Sequence, residues 1–374
     1  MAEELVLEKK RKRWAKLADA VLWVFYQVHS TITLRRWRKQ RPIQKVLVYA
    51  SMFIGESVIA KEAIESIKRR YPQTAVVIHP SVKSLFEGVS VIEYVAPWLS
   101  YGEKISLSKV LEFFRFTHKL KQAKFDLAID LRGDMRNNLI LYLSGAPTRI
   151  GYGNTGGRYF LTKVVPLIET LEVKRNNAIA KEVGADPKEY TSLTIDPKDQ
   201  EIALETLKKH GIKPRERVVV IVPSAGYWTK QWSKQRWVEV IDRLPDSIHV
   251  VLAGAPSDSE FKDISKNTKR KTVDLIGELK LMQSAALFQR SSLVVGSDNG
   301  AMHLAASVGA NTLTLFGPTR PDRWRPYGKG THAIIDKKQY CSPCGRLDAC
   351  PINKECMQRI DVDEVVEAIK RLVK

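Results

Sequence analysis

Four stretches of the chain combine residue types that do chemistry. The first, Pro223–Trp232 (PSAGYWTKQW), follows an apolar run. Its small residues permit close backbone approach, Ser224 offers a hydroxyl and Lys230 a point charge, a set that suits a phosphate. A helix-entry loop with a solvated lysine has the same composition. The second, Ala253–Asp258 (AGAPSD), ends in an acid that can take a ribose diol or cap the following helix. In the third, Gly296–Ser307 (GSDNGAMHLAAS), Asp298, Asn299 and Gly300 sit where a strand turns into a small-residue helix. The free N–H groups and positive dipole end of such a helix suit a pyrophosphate. His303 lies three residues into that helix, where a packing role is the alternative. The fourth holds Cys341, Cys344, Cys350 and Cys356, spaced C-x2-C-x5-C-x5-C. Four clustered thiols read as a structural metal site, since four thiolates leave no open position for catalysis. Zn and Fe both remain open at that spacing, as do packed thiols or two disulfides.

The elements that must position these loops follow from periodicity. Short apolar runs at Lys45–Ser51, Ala75–His79, Val91–Val95 and Phe125–Leu131 read as buried strands, with helices over 57–70, 107–122 and 137–143. An irregular stretch of about 151–200 follows, with one helix over 172–183. A second alternating series then begins, with strands at 217–222, 249–252, 293–295 and 312–316 and helices between them. The expected class is α/β: two doubly wound, Rossmann-like domains, 43–195 and 196–374, with a last helix, 361–373, that can return to the first. Neither a Walker A sequence nor a G-x-G-x-x-G after a strand is found, so P-loop and dinucleotide assignments are poor.

Composition narrows the partners. Among 374 residues, 61 Lys+Arg against 41 Asp+Glu give a formal charge of +20, which favours an anionic partner. A hydrophobic share of 44% excludes a disordered chain and a polytopic membrane protein. Residues 1–42 carry eleven Lys/Arg against four acids around an apolar, aromatic stretch, 17–28. That stretch is shorter than the roughly 20 apolar residues of a membrane span and contains Asp19. It reads as a basic amphipathic helix, lying on an anionic membrane surface or packed on the main body. No cleavable signal peptide is visible, which points to the cytoplasm.

Three runs together carry a resemblance: Ser297–Ala306 (SDNGAMHLAA), Leu315–Thr319 (LFGPT) and Trp324–Gly328 (WRPYG). With Lys230-x-Trp232, the Ile54-Gly55 turn and the cysteine cluster, the chain from about residue 44 onward resembles glycosyltransferase family 9, the ADP-heptose:lipopolysaccharide heptosyltransferases. The resemblance implies a GT-B fold of two facing Rossmann-like domains, the second binding donor and the first acceptor. It implies inverting transfer of heptose from ADP-heptose to the lipopolysaccharide inner core, with no catalytic metal. Asp298 would contact the sugar, Asn299 and Gly300 the diphosphate with His303 in support, Lys230 would neutralise the diphosphate beside Ser224, and Asp258 would take the ribose. The family's usual I-G-D turn, whose Asp is the general base, is here Ile54-Gly55-Glu56; a Glu has a similar reference pKa and one more methylene.

The implied partners are a nucleotide-sugar donor, an anionic lipid-anchored saccharide acceptor and the inner face of the cytoplasmic membrane, with no nucleic acid. The competing readings are a GT-B transferase using another nucleotide-sugar or acceptor, a non-catalytic membrane-surface protein, and a basic nucleic-acid binder. For the last, no recognition-helix, RRM or zinc-finger pattern occurs.

Overall fold

A computed structural model of the chain describes residues 23, 42–50, 52–95, 106–346 and 349–373. The expected basic helix within residues 1–42 lies outside the described residues, apart from Trp23 and Pro42. Among the described residues, no helix is long and apolar enough to cross a membrane.

Two compact units are present. The first comprises residues up to 53, 60–170 and 174–189; the second comprises 54–59, 171–173 and 190–374. Each is built on a parallel six-stranded sheet. The first sheet contains β1 (Lys45–Ala50), β2 (Gln73–Ile78), β3 (Ser90–Glu93), β4 (Leu127–Asp130), β5 (Thr148–Gly151) and β6 (Lys163–Val164), in the order β3-β2-β1-β4-β5-β6. The second contains β7 (Arg217–Val222), β8 (Ile248–Gly254), β9 (Thr272–Ile276), β10 (Leu293–Ser297), β11 (Thr312–Phe316) and β12 (His332–Asp336), in the order β12-β11-β10-β7-β8-β9. Both orders reduce to 3-2-1-4-5-6 or its reverse, the doubly wound pattern. It leaves a crevice beyond the carboxyl ends of the two central strands, where the winding direction changes. In the second unit those strands are β7 and β10, paired in register from Leu293–Val219 to Gly296–Val222.

The central strands are continuous apolar runs because both faces are covered. Val218–Val222 and Leu293–Val295 are buried throughout. Helix Lys234–Arg243 buries Trp237, Val240 and Ile241 against them, and Ser233 caps it by accepting from Arg236 N–H at 3.2 Å. The last helix, Val362–Leu372, joins this same core through Val362, Val365, Val366 and Ile369. It therefore belongs to the second unit, where its apolar stripe meets helix Lys234–Arg243. The elements not evident from periodicity include β5, β6, β9, β12 and helix Pro197–Lys209. The strands are short or at sheet edges. The helix does carry a local signal, Asp196 accepting from Lys198 N–H at 2.8 Å and Pro197 at the first position.

Candidate active site

The loops after β7, β10 and β11 meet on one carboxylate. Asp298, buried, stands just beyond β10. Its Oδ2 accepts from Lys230 Nζ at 2.8 Å and from Thr319 Oγ1 at 2.7 Å. Lys230 comes from a 3-10 turn, Trp228–Lys230, after β7, and Thr319 from the Gly317-Pro318-Thr319 loop after β11. Trp232 anchors the first of these loops: it is buried and stacks edge-on with Trp237, ring centroids 4.9 Å apart. Lys230 was expected from sequence; Thr319's bond to Asp298 was not, because nothing local to either residue announces it.

Asn299 is the N-cap of helix Gly300–Ser307. Its Oδ1 accepts from Ala301 N–H at 2.9 Å and Met302 N–H at 3.3 Å, and its Nδ2 donates to Ser224 carbonyl oxygen at 2.8 Å. The side chain thus ties the β7 and β10 loops together. Ser224 is buried beside it.

Gly300 begins the helix against another helix start, Ile54–Arg70. A Cβ on Gly55 would lie 3.1 Å from Gly300 Cα and 3.1 Å from His303 Cδ2; one on Gly300 would lie 2.9 Å from Gly55 N. Only glycines allow two backbones this close. Two helix N-termini, each a positive dipole end, therefore lie side by side within the second unit. Glu56 is the third residue of helix Ile54–Arg70, so it is not that helix's N-cap; Phe53 is.

His303 faces a small cleft also lined by Val58, Ile59, Thr191, Arg325 and Tyr327. Arg323 forms another part of its wall and donates from Nε to Glu172 Oε2 at 2.7 Å, a pair with the carboxylate largely buried.

Asp258 stands after β8. Its Oδ2 accepts from Ala255 N–H at 2.8 Å, so the capping alternative is realised. Two carboxylates of the first unit, Asp130 and Asp134, are engaged within their own loop. Asp130, the last residue of β4, is fully buried and accepts from the backbone N–H of Gly133 (2.7 Å), Asp134 (3.2 Å) and Arg132 (3.3 Å) and from Asn137 Nδ2 (3.1 Å). Burial outweighs these bonds and pushes its pKa up to about 6. Asp134 caps helix Met135–Leu143 and pairs with Arg136.

All four cysteines carry free thiols, with Cys356 buried. Burial, then Cys344, Cys350 and Cys341, push the Cys356 thiol up to about 11, against the lowering effect of the Met357 backbone. Among the described residues, no group of three or more His, Cys, Asp or Glu side chains is arranged to hold a metal ion.

Comparison with known proteins adds to this geometry. The sequence profile of glycosyltransferase family 9 (heptosyltransferase) matches residues 113–351. Lipopolysaccharide heptosyltransferase 2 of Escherichia coli K12 is 24% identical over 312 residues, 78% of this chain and 87% of that protein. The solved ADP-heptose lps heptosyltransferase II of E. coli superposes with a TM-score of 0.68 at 20% identity, covering 88% of this chain and 98% of that one. An E. coli heptosyltransferase solved with ADP-2-deoxy-2-fluoro heptose gives a TM-score of 0.62 at 19% identity, covering 88% and 99%. The two sheets and their strand order are those of the GT-B class to which these structures belong.

His303 carries a consequence for stability. Burial, opposed by Asp298 and helped by Lys230 and His332, holds its imidazole down from 6.5 to about 4. The folded state therefore refuses a proton that the unfolded chain accepts below pH 6.5. Stability is fully present above that pH and is lost progressively as the pH falls to about 4, by about 3 kcal/mol for this one group. Urea unfolding of wild type and His303→Gln between pH 7 and pH 4 should show the wild type losing more stability by that order. Parallel curves would mean that His303 is not held neutral.

Proposed function

We propose that this chain, which belongs to glycosyltransferase family 9, the heptosyltransferases, transfers a heptose from ADP-heptose to the inner core of lipopolysaccharide with inversion at the anomeric carbon. The observation that carries this reading is the cluster of Lys230, Asp298 and Thr319 beside two helix N-termini, beyond the ends of β7, β10 and β11. Such a place accepts a diphosphate: backbone N–H groups and dipole ends face it, and a lysine supplies the balancing charge. The donor is supported by the relative solved with an ADP-heptose analogue and the acceptor by the relative named a lipopolysaccharide heptosyltransferase.

In this reading Lys230 and the start of helix Gly300–Ser307 hold the diphosphate, and Asn299 fixes that start by capping it. Asp298 contacts sugar hydroxyls through Oδ1, since Oδ2 is engaged by Lys230 and Thr319. His303, neutral at pH 7, supports the helix without adding charge. Asp258 meets the ribose with the lone pairs left by the Ala255 bond. Glu56 takes the proton of the acceptor hydroxyl as its oxygen bonds to the anomeric carbon; the bond to the diphosphate breaks and ADP leaves. The reading of Glu56 is supported by its position beside Gly55 and by the engagement of Asp130 and Asp134 in their own loop. Residues 43–195 would carry the acceptor and 196–374 the donor.

Two further parts belong to the same proposal. The spacing of the four cysteines carries the reading of a structural Zn or Fe site; the thiols as placed among the described residues are not arranged to hold a metal ion, and no step of the transfer is assigned to them. The basic extension, 1–42, holds the enzyme peripherally at the inner face of the cytoplasmic membrane, where a lipid-anchored acceptor lies.

Lys230→Ala removes a charge-assisted contact worth about 1.5–3 kcal/mol, so ADP affinity measured by calorimetry should fall about 10- to 150-fold. Unchanged affinity would remove the donor site. Glu56→Gln keeps shape and loses the proton acceptor, so turnover should fall by about 10²–10⁴ with ADP affinity nearly unchanged. Turnover within a few-fold of wild type would exclude Glu56 as base. Deleting residues 1–40 should abolish sedimentation with anionic vesicles and leave ADP binding intact; equal sedimentation would argue for a packing role.

A further inference from the structure

The segment that carries the cysteines touches both arms of the Asp298 cluster. At one end, Ser342 Oγ donates to Gly317 carbonyl oxygen at 2.6 Å and Gly345 N–H to Pro318 carbonyl oxygen at 2.7 Å, on the loop that ends in Thr319. At the other end, Lys354 Nζ donates to the carbonyl oxygens of Gln231 at 2.9 Å and Trp228 at 3.2 Å. Its ammonium also lies 5.7 Å from the centroid of the Trp228 ring. Those two carbonyls bracket Lys230 in sequence. The turn that bears Lys230 is three residues long; within and beside it Lys230 N–H reaches Tyr227 carbonyl oxygen at 3.0 Å, Gln231 N–H reaches Trp228 carbonyl oxygen at 3.2 Å, and Gln231 Nε2 reaches Ala225 carbonyl oxygen at 3.2 Å.

Lys354 is placed for this contact by an unusual backbone. Asn353 and Lys354 lie at φ +46° and +52°, the left-handed region, which asparagine tolerates and which is uncommon for lysine. Lys354 N–H donates to Cys350 Sγ at 3.1 Å, and helix Glu355–Gln358 starts immediately after, with Cys356 and Met357 buried. Met357 in turn fills the space beside Gly317, where a Cβ would come within 2.5 Å of its Sδ.

We propose that Lys354 is a positioning residue for donor binding, acting through the Trp228 and Gln231 carbonyls to fix the turn that aims Lys230 at the diphosphate. The inference rests on the reading of Lys230 as the diphosphate's counter-charge. A 3-10 turn of three residues has few internal bonds, and a point charge helps a phosphate only when its position is set in advance. The ammonium of Lys354 supplies two external bonds to that turn without touching the ligand.

The test is ADP affinity by calorimetry on the full-length protein. Lys354→Met keeps the side chain's length and apolar stem and removes the ammonium; ADP should bind about tenfold more weakly, a difference of about 1.4 kcal/mol. Lys354→Arg, whose guanidinium can donate to both carbonyls, should return affinity to within about threefold of wild type. In a Lys230→Ala background, Lys354→Met should add less than about twofold, because the group it positions is gone. Three results would overturn the inference while leaving the donor site intact: unchanged affinity in Lys354→Met beside a loss in Lys230→Ala, no rescue by arginine, or a full tenfold loss in the Lys230→Ala background. Unchanged affinity in Lys230→Ala would overturn the donor-site reading and this inference with it.

Discussion

The second unit is organised by a buried negative charge. Asp298 is 6% exposed, and a carboxylate so placed must find charged or hydrogen-bonding partners. It finds Lys230 and Thr319, each on the loop of a different strand. Removing one partner of such a pair leaves the other charge uncompensated, at a cost of about 3–5 kcal/mol. The pair therefore constrains the loops more than it stabilises the fold. Trp232 and Gln231 lie on the Lys230 loop, and the cysteine-bearing segment bonds to both that loop and the Thr319 loop.

The first unit uses the same position differently. Its fourth strand, β4, ends in Asp130, as the corresponding strand of the second unit, β10, is followed by Asp298. Asp130 is satisfied by three backbone N–H groups and one amide, all within seven residues, and burial lifts its pKa to about 6. That carboxylate shapes its own loop. Asp298 instead reaches across strands, and its partner is a lysine whose charge a bound anion can share. One strand end is thereby a structural anchor and the other a candidate site.

Close backbone approach sets the remaining geometry. At Gly55 and Gly300 two helix starts meet with no room for a Cβ on either side. No side chain separates them, so the two positive dipole ends lie together, and the first turn of helix Ile54–Arg70, with Glu56, belongs to the second unit.

The sequence by itself determined the α/β class, the two βαβ series and the strand-end loops containing Ser224, Lys230, Asp298, Asn299, Gly300 and His303. These are local properties: short apolar runs, small residues at a strand-to-helix turn, and polar groups just beyond strand ends. It left two uses open for Asp258, and the Ala255 contact shows that one of them is made without closing the other. The short and edge strands β5, β6, β9 and β12 escaped notice because they offer too few buried residues to show a period. The tertiary structure alone decided that Thr319 bonds Asp298, that Asn299 joins two loops, that Gly55 meets Gly300 and that Lys354 bonds the carbonyl of Gln231. Each of these joins residues 21 to 245 positions apart. Such pairs leave no periodicity in the chain, because sheet order and crossover connections, not sequence spacing, bring them within hydrogen-bond or van der Waals distance.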